Sequence, residues 1–275
     1  MKRPVGLHIR LQKDILDVLV SVQEMNASIA QSFLINEQGS YISYSSNIIK
    51  KFVAAKRNLN FLYFVHAAYW SSLINVKSKE FISLCKEADI ALNLESQGIV
   101  IHVGATRTKL GKSDQAKYVA EGINTLLTQV QDINILLENS PHAGRNFGGD
   151  ITDFAYLNGL IEQRGRVKFC IDTAHAFVYG YNLVSEYGRK EFFNLSEQIF
   201  TPDSMGLLHI NDTDQGCASK IDKHGLVGQG VLGKQVLSDF INFPLFKDTP
   251  IILELPATCS AEESLQILDN VISWA

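Results

Sequence analysis

Eight times along this 275-residue chain a short apolar, largely β-branched run gives way to a longer stretch whose apolar residues recur at helical spacing. A period of two suits a strand and a period near 3.6 suits a helix, so the alternation dictates a succession of βα units. PVGLHI (4–9) precedes DILDVLVSVQEM (14–25), SIAQSFLI (28–35) precedes SSNIIKKFVAAKR (45–57), and FLYFVHA (61–67) precedes SKEFISLCKEADIALNL (78–94). GIVIHVG (98–104), NILLENS (134–140) and VKFCIDTAH (167–175) lead to helical patterns over 114–131, 152–165 and 183–200. GLLHIND (206–212) and PIILELP (250–256) complete the set, with helices over 233–243 and 260–275. Ser113, Thr152 and Ser260 stand where a hydroxyl can cap the first free N–H groups of the helices that follow.

No Pro/Gly/Ser-rich linker, low-complexity stretch or shift of composition divides the chain. The expectation is one α/β domain over residues 1–275, closed into a (β/α)8 TIM barrel with its site at the C-terminal ends of the strands. A doubly wound open sheet is the alternative. It fits less well, because polar residues on six strand ends converge easily only when the sheet closes on itself.

Those polar residues carry the chemistry. Six of the runs end on histidine or carboxylate: His66, His102, Glu138, Asp172 with His175, His209 and Glu254; Asp222 and His224 follow in DKH. A lone histidine at a strand end is more often a hydrogen-bonded structural residue than a ligand, but the joint placement reverses that reading. Glu138 and Glu254 terminate apolar strands where an unpaired carboxylate is costly to desolvate, and a metal is the simplest partner that offsets the cost. Asp172 and His175 fall on a strand end and the turn after it, and the i, i+2 spacing of Asp222 and His224 puts both on one side of an extended segment. Nine nitrogen and oxygen donors exceed what a structural zinc needs and suit zinc, manganese or iron in a multinuclear catalytic centre. His8, with no carboxylate neighbour in sequence, and His142, in a loop, fall outside the set.

The remaining signals are weaker. Tyr69 and Trp70 after His66 could stack on bases or sugars or pack under their loop. GQGVLG (228–233) does not directly follow a strand and lacks the Lys-Ser/Thr of a phosphate loop, so a flexible loop is expected. A formal charge of −4 provides no global cationic field, so a nucleic-acid partner would have to be met by local basic loops. Four widely spaced cysteines form no CxxC pair, MKRPVGLHIR is interrupted as a signal core, and no run is long enough to span a membrane. A cytoplasmic protein with free thiols is the expectation.

VHAAY, IHVGA, LLENSPHAG, CIDTAHAFVYGY, LHINDT, DKHGLVGQG and ILELP, in this order, resemble the successive signatures of the endonuclease IV type of apurinic/apyrimidinic endonuclease, AP endonuclease family 2, along essentially the whole chain. The resemblance implies a zinc-dependent, monomeric DNA-repair hydrolase on a (β/α)8 barrel with about three Zn2+ per chain, Mn2+ being an alternative at one or more sites. It implies His66, His102 and Glu138 on a first zinc, with Glu138, the catalytic residue, bridging to a second held by Asp172, His209 and Glu254. A third would take His175, Asp222 and His224, with Asn211 and Asp212 behind the ligands. The implied reaction is hydrolysis 5′ to an abasic site in DNA, leaving a 3′-hydroxyl and a 5′-deoxyribose phosphate, together with cleaning of blocked 3′ ends.

One departure concerns the family's probing arginine after the second strand. No Lys or Arg occurs between Lys13 and Lys50. Tyr69 and Trp70 remain as the DNA-binding aromatics, Tyr41 is the substitute wedge, and Arg107, Lys109, Lys112 and Arg145 are the phosphate contacts. A metal-dependent sugar isomerase or epimerase of the xylose-isomerase-like barrels is the rival reading, needing only four ligands for one ion. A non-catalytic DNA-binding relative is disfavoured by the complete donor set.

Overall fold

The computed structural model describes residues 3–36, 39–40, 44–105, 110–142 and 146–274. Eight strands, β1 (Val5–Leu11), β2 (Ile29–Asn36), β3 (Leu62–His66), β4 (Ile99–His102), β5 (Ile135–Glu138), β6 (Val167–Asp172), β7 (Met205–His209) and β8 (Ile251–Leu253), form a closed barrel in sequence order. Every pair is parallel, β8 closing on β1 with Leu7 opposite Leu253. The TIM barrel expected from the alternation is what the chain forms. No helix among the described residues is long and apolar enough to cross a membrane.

Two apolar layers follow from the strand period. One side chain from each of β2 to β8, Ile29, Phe64, Val100, Leu136, Cys170, Leu207 and Ile252, fills the barrel floor. Each such apolar residue contributes about 1.5–3 kcal/mol when fully buried. β1 offers Gly6 instead, because a Cβ there would lie 1.8 Å from the Ile29 carbonyl oxygen. Alternate residues such as Ile99, Ile101, Ile135, Leu137, Phe169 and Ile171 face outward into the larger core beneath the helices.

The helices are α1 (Asp17–Met25), α2 (Ser46–Leu59), α3 (Lys79–Asn93), α4 (Lys112–Gln129), α5 (Thr173–Tyr179), α6 (Glu186–Ile199), α7 (Gly233–Asn242) and α8 (Ala261–Trp274). They are not distributed one per strand. The pattern expected to be a helix over 152–165 is a 3-10 helix, Ile151–Leu157, and its buried residues Ile151, Phe154 and Leu157 recur every three positions, the 3-10 period. β6 is instead followed by two helices, α5 and α6.

Capping differs from expectation at two of three positions. Ser260 does form a reciprocal box with Glu263, donating its N–H to the carboxylate and accepting the Glu263 N–H. Ser113 lies inside α4, whose N-cap is Gly111 with no side-chain bond. Thr152 is capped by Asp150, which accepts both its N–H and its hydroxyl. Both donors meet the same carboxylate oxygen, Oδ1, so Asp150 rather than Thr152 is the cap.

Candidate metal centre

The strand period also builds the site. Two residues beyond each floor residue, on the same inner face, come Gln31, His66, His102, Glu138, Asp172, His209 and Glu254, and His8 stands in the same relation to Gly6. His175 reaches this layer differently. It occupies the first turn of α5, where the Asp172 carboxylate accepts its backbone N–H at 2.7 Å. The turn expected around His175 is therefore a helix start, capped by Asp172. Asp222 and His224 descend from the long β7–α7 loop.

Glu138 is fully buried and central. Its Oε2 lies 2.9 Å from His66 Nε2 and 2.7 Å from His102 Nε2, while its Oε1 lies 2.8 Å from His209 Nδ1 and 3.4 Å from His175 Nδ1. The two oxygens thus face two different sets of imidazoles. Asp222 Oδ1 is 3.2 Å from His175 Nε2 and 3.7 Å from His224 Nε2. His224 Nε2 is also 3.7 Å from Asp172 Oδ2, and His224 Nδ1 is 3.7 Å from Glu254 Oε2.

Among the described residues four groups bring ligand atoms within 4.8 Å of one another. Glu138, Asp172, His209 and Glu254 gather as one quartet; His66 and His102 both reach Glu138, but in separate groups, one with His209 and the other with His175. His175 and His224 group with Asp172, and Asp222 joins them through the two imidazole contacts above rather than as a member of a compact trio. All nine sequence-predicted donors therefore fall in one connected cluster.

The donor set fits divalent ions on three counts. His102 Nε2 and His224 Nε2 are buried nitrogens without a hydrogen-bond partner among the described residues, the 2.7 Å approach of His102 to Glu138 being out of line for a hydrogen bond. The His66 Nδ1 contact with the Ala67 carbonyl at 2.8 Å suits an N–H donor, which leaves Nε2 as a lone-pair ligand facing the cavity. Third, the carboxylates of Glu138, Asp172 and Glu254 meet in a largely buried space with Asp222 at its exposed edge, and an unbalanced buried charge costs several kcal/mol.

The titration pattern has the same origin. Burial opposes charge throughout, yet His102 and His209 hold Glu138 well below the usual carboxylate range, and His209 and His8 do the same to Glu254. Burial likewise disfavours protons on His175 and His209, but Asp172, Asp222 and Glu138 around the first and Glu254 and Glu138 around the second raise both well above an ordinary histidine. His8 goes the other way, its burial outweighing Glu254. Protonated imidazoles and divalent cations are alternative ways of balancing the same carboxylates.

Three residues outside the predicted donor set support it. Gln31, fully buried on β2, donates from Nε2 to Glu254 Oε1 at 3.0 Å and offers Oε1 to His209 Nε2 at 3.1 Å. That contact suits an N–H on His209 Nε2 and directs Nδ1 into the site. His8 Nδ1 lies 3.0 Å from Glu254 Oε1, a carboxylate 246 positions away in sequence, while His8 itself stays outside the four candidate groups. Asn211 donates to Asp172 Oδ2 at 2.6 Å and Glu254 Oε2 at 3.2 Å, as expected of a residue behind the ligands. The signal for Gln31 and His8 was the two-residue offset from an inward apolar residue or glycine.

Asp212 does something else. Its carboxylate accepts backbone N–H groups from Thr213 and Leu232 at Oδ1 and from Gly228, Gly230 and Gly233 at Oδ2, all at 2.9–3.1 Å. The segment expected to be a flexible glycine loop is an anion cradle whose anion is the chain's own side chain. A Cβ at Gly230 would come 2.5 Å from Asp212 Oδ1, so glycine is what lets that backbone approach.

At the rim, Tyr69 is 73% exposed and meets Trp70 edge to face with centroids 4.8 Å apart. Both line a cleft of about 930 Å³ that opens from the metal layer. Glu87, buried under the loop, accepts the Ala68 N–H and the Ser71 hydroxyl and so holds the segment carrying them. Lys112, an expected phosphate contact, is engaged by Asp153 at 2.7 Å. Tyr41, Arg107, Lys109 and Arg145 lie outside the described residues.

A family model described as xylose isomerase-like TIM barrel matches residues 26–271. A probable endonuclease 4 from Halothermothrix orenii is 28% identical, the match covering 96% of this chain and 98% of that one. The crystal structure of endonuclease IV from Thermus thermophilus superposes with a TM-score of 0.83 at 22% identity, over 98% of each chain. A D-tagatose 3-epimerase-like protein superposes with a TM-score of 0.73 at 15% identity, over 98% of this chain and 96% of its own. The structural likenesses are likenesses of fold.

Proposed function

The chain belongs to the xylose isomerase-like TIM barrel family, and within it we propose a zinc-dependent DNA-repair endonuclease that hydrolyses the phosphodiester 5′ to an abasic site. The products are a 3′-hydroxyl and a 5′-deoxyribose phosphate, with blocked 3′ ends as further substrates of the same hydrolysis. The observation that carries this reading is Glu138, whose two oxygens face separate imidazole sets inside a cluster of nine donors. Such a carboxylate suits a bridge between two ions. His66 and His102 would share one ion with Glu138; Asp172, His209 and Glu254 would hold a second; His175, Asp222 and His224 a third.

Bound ions supply Lewis-acid charge to the phosphoryl group and bring the pKa of a nucleophilic water towards about 7. Without such charge the four carboxylates would repel a phosphodiester. The protein's own part is to aim six of these donors from strand ends of the closed barrel, with His175 on α5 and Asp222 and His224 on the β7–α7 loop. The water oxygen bonds to phosphorus and gives up one proton, the phosphorus–O3′ bond breaks, and the leaving oxygen takes up one proton. Tyr69 and Trp70 stand beside this point with faces suited to a base or sugar. We assign the activity to a monomer acting on DNA.

The test is incubation with a duplex containing one abasic analogue. A metal-dependent nick on its 5′ side is expected; intact DNA, where a control endonuclease cuts, sinks the assignment. A single-metal sugar isomerase or epimerase is the second reading, favoured by the compact quartet of Glu138, Asp172, His209 and Glu254. It requires one ion per folded chain where the repair reading requires about three.

A further inference from the structure

The described arginines of this chain are mostly engaged. Arg3 donates to the carbonyls of Thr249, Ile241 and Phe246, Arg166 to those of Leu127, Val130 and Ile133, while Arg57 pairs with Glu95 and Arg189 with Asp239. Arg10 differs. Its Nη2 donates to the Leu255 carbonyl at 2.5 Å, and no carboxylate among the described residues pairs with it. Four of its five N–H donors are left to the solvent side.

Its position follows from the strand period. Gly6 lies at the barrel floor and His8 in the ligand layer, so Arg10 continues the same face of β1 to the mouth. The register of β1 against β2 shifts between Ile9 and Leu11, an irregularity of the kind that re-aims a side chain beside an active site. Arg10 lines both the cavity of about 320 Å³ over the metal layer and the neighbouring cleft of about 650 Å³. Among the described residues it is the sole Lys or Arg around the first of these.

Three hollows adjoin one another, Asp222 lining all of them. Tyr69 lines the 930 Å³ cleft and the central cavity, whereas Arg10 lines the central cavity and the 650 Å³ cleft. The aromatic pair and the arginine therefore serve different clefts beside the metal layer. A strand crossing this mouth would carry a phosphodiester on either side of the hydrolysed one.

We propose that Arg10 is a substrate-positioning residue that grips the non-bridging oxygens of a backbone phosphate flanking the scissile one, on the side of the 650 Å³ cleft, which Tyr69 and Trp70 do not line. A guanidinium anchored through one N–H to Leu255 still presents a fork of donors to an anion. It supplies, from the first strand, a cation that the segment between Lys13 and Lys50 lacks. This rests on the proposed phosphodiesterase reading.

The experiment compares wild type, Arg10→Ala and Arg10→Lys, each loaded with zinc, on an abasic-analogue duplex. Arg10→Ala should raise KM about tenfold or more while kcat changes little, as for loss of binding made equally in ground and transition states. The slope of log Kd against log salt should fall by about one, and Arg10→Lys should recover that slope with part of the affinity. Replacing the flanking phosphate by a neutral methylphosphonate should erase the difference between wild type and Arg10→Ala. Metal content should equal that of wild type in both variants. Unchanged KM and salt slope in Arg10→Ala, or loss of metal from it, overturns the inference while the wild type still nicks. A wild type that does not nick overturns the functional reading, and the inference with it.

Discussion

Asp212→Asn isolates the cradle that fixes the β7–α7 loop, because it keeps the shape of the side chain and removes half of its acceptors. The native carboxylate takes two N–H groups on Oδ1 and three on Oδ2. An amide keeps one oxygen and turns an NH2 donor towards the other N–H groups. If the oxygen serves the three glycines, the buried Thr213 and Leu232 N–H groups lose their acceptor; if it serves those two, three glycine N–H groups do. At about 1–3 kcal/mol for each buried donor left without a partner, the first orientation costs roughly 2–6 kcal/mol and the second more, so the first sets the expected loss. The same loop carries Asp222 and His224, and Thr213 holds it further by donating its hydroxyl to the Lys223 carbonyl at 2.7 Å. Loosening it should also release the ion assigned to those two ligands. Urea unfolding should show a lower midpoint at unchanged slope, and metal analysis fewer ions per chain. An Asn variant within about 0.5 kcal/mol of wild type, the range of an ordinary surface change, would refute the reasoning.

Other perturbations separate the parts of the centre. Glu138→Gln should leave the barrel folded by circular dichroism yet remove most activity, since an amide cannot accept at both oxygens; unchanged turnover contradicts a bridging role. Gln31→Leu should strip His209 Nε2 and Glu254 Oε1 of a partner, weakening metal affinity by about 10- to 100-fold in a chelator competition. An affinity equal to wild type would show that the Gln31 contacts do not orient either ligand. Chelation should abolish nicking and lower the Tm, because an ion present at 100 times its Kd adds about 2.7 kcal/mol to the folded state, roughly 5–10 °C for a chain of this size. Identical melting curves with and without chelator would argue that the carboxylates are balanced by imidazolium alone.

Local sequence was enough to give the number and order of the strands and the chemical identity of the candidate donors. Both are local properties: the switch from a period of two to a longer one marks each unit, and an apolar run that ends in His66, His102, Glu138 or Glu254 places its polar residue at the strand's C-terminal end. The segment after β5 reads as an α-helix in sequence because Ile151, Phe154 and Leu157 satisfy a spacing that helical and 3-10 periods share over so few turns. Tertiary structure alone decided which donors meet. Closing the sheet brings His8 to Glu254 and Gln31 to His209, pairs separated by 246 and 178 residues, and turns the two oxygens of Glu138 towards different imidazoles. It also decided that a glycine loop would wrap Asp212 and that Arg10 would stand at the mouth of the centre. A strand's period fixes which face a side chain takes, but the distance between faces is set only when the eighth strand pairs with the first.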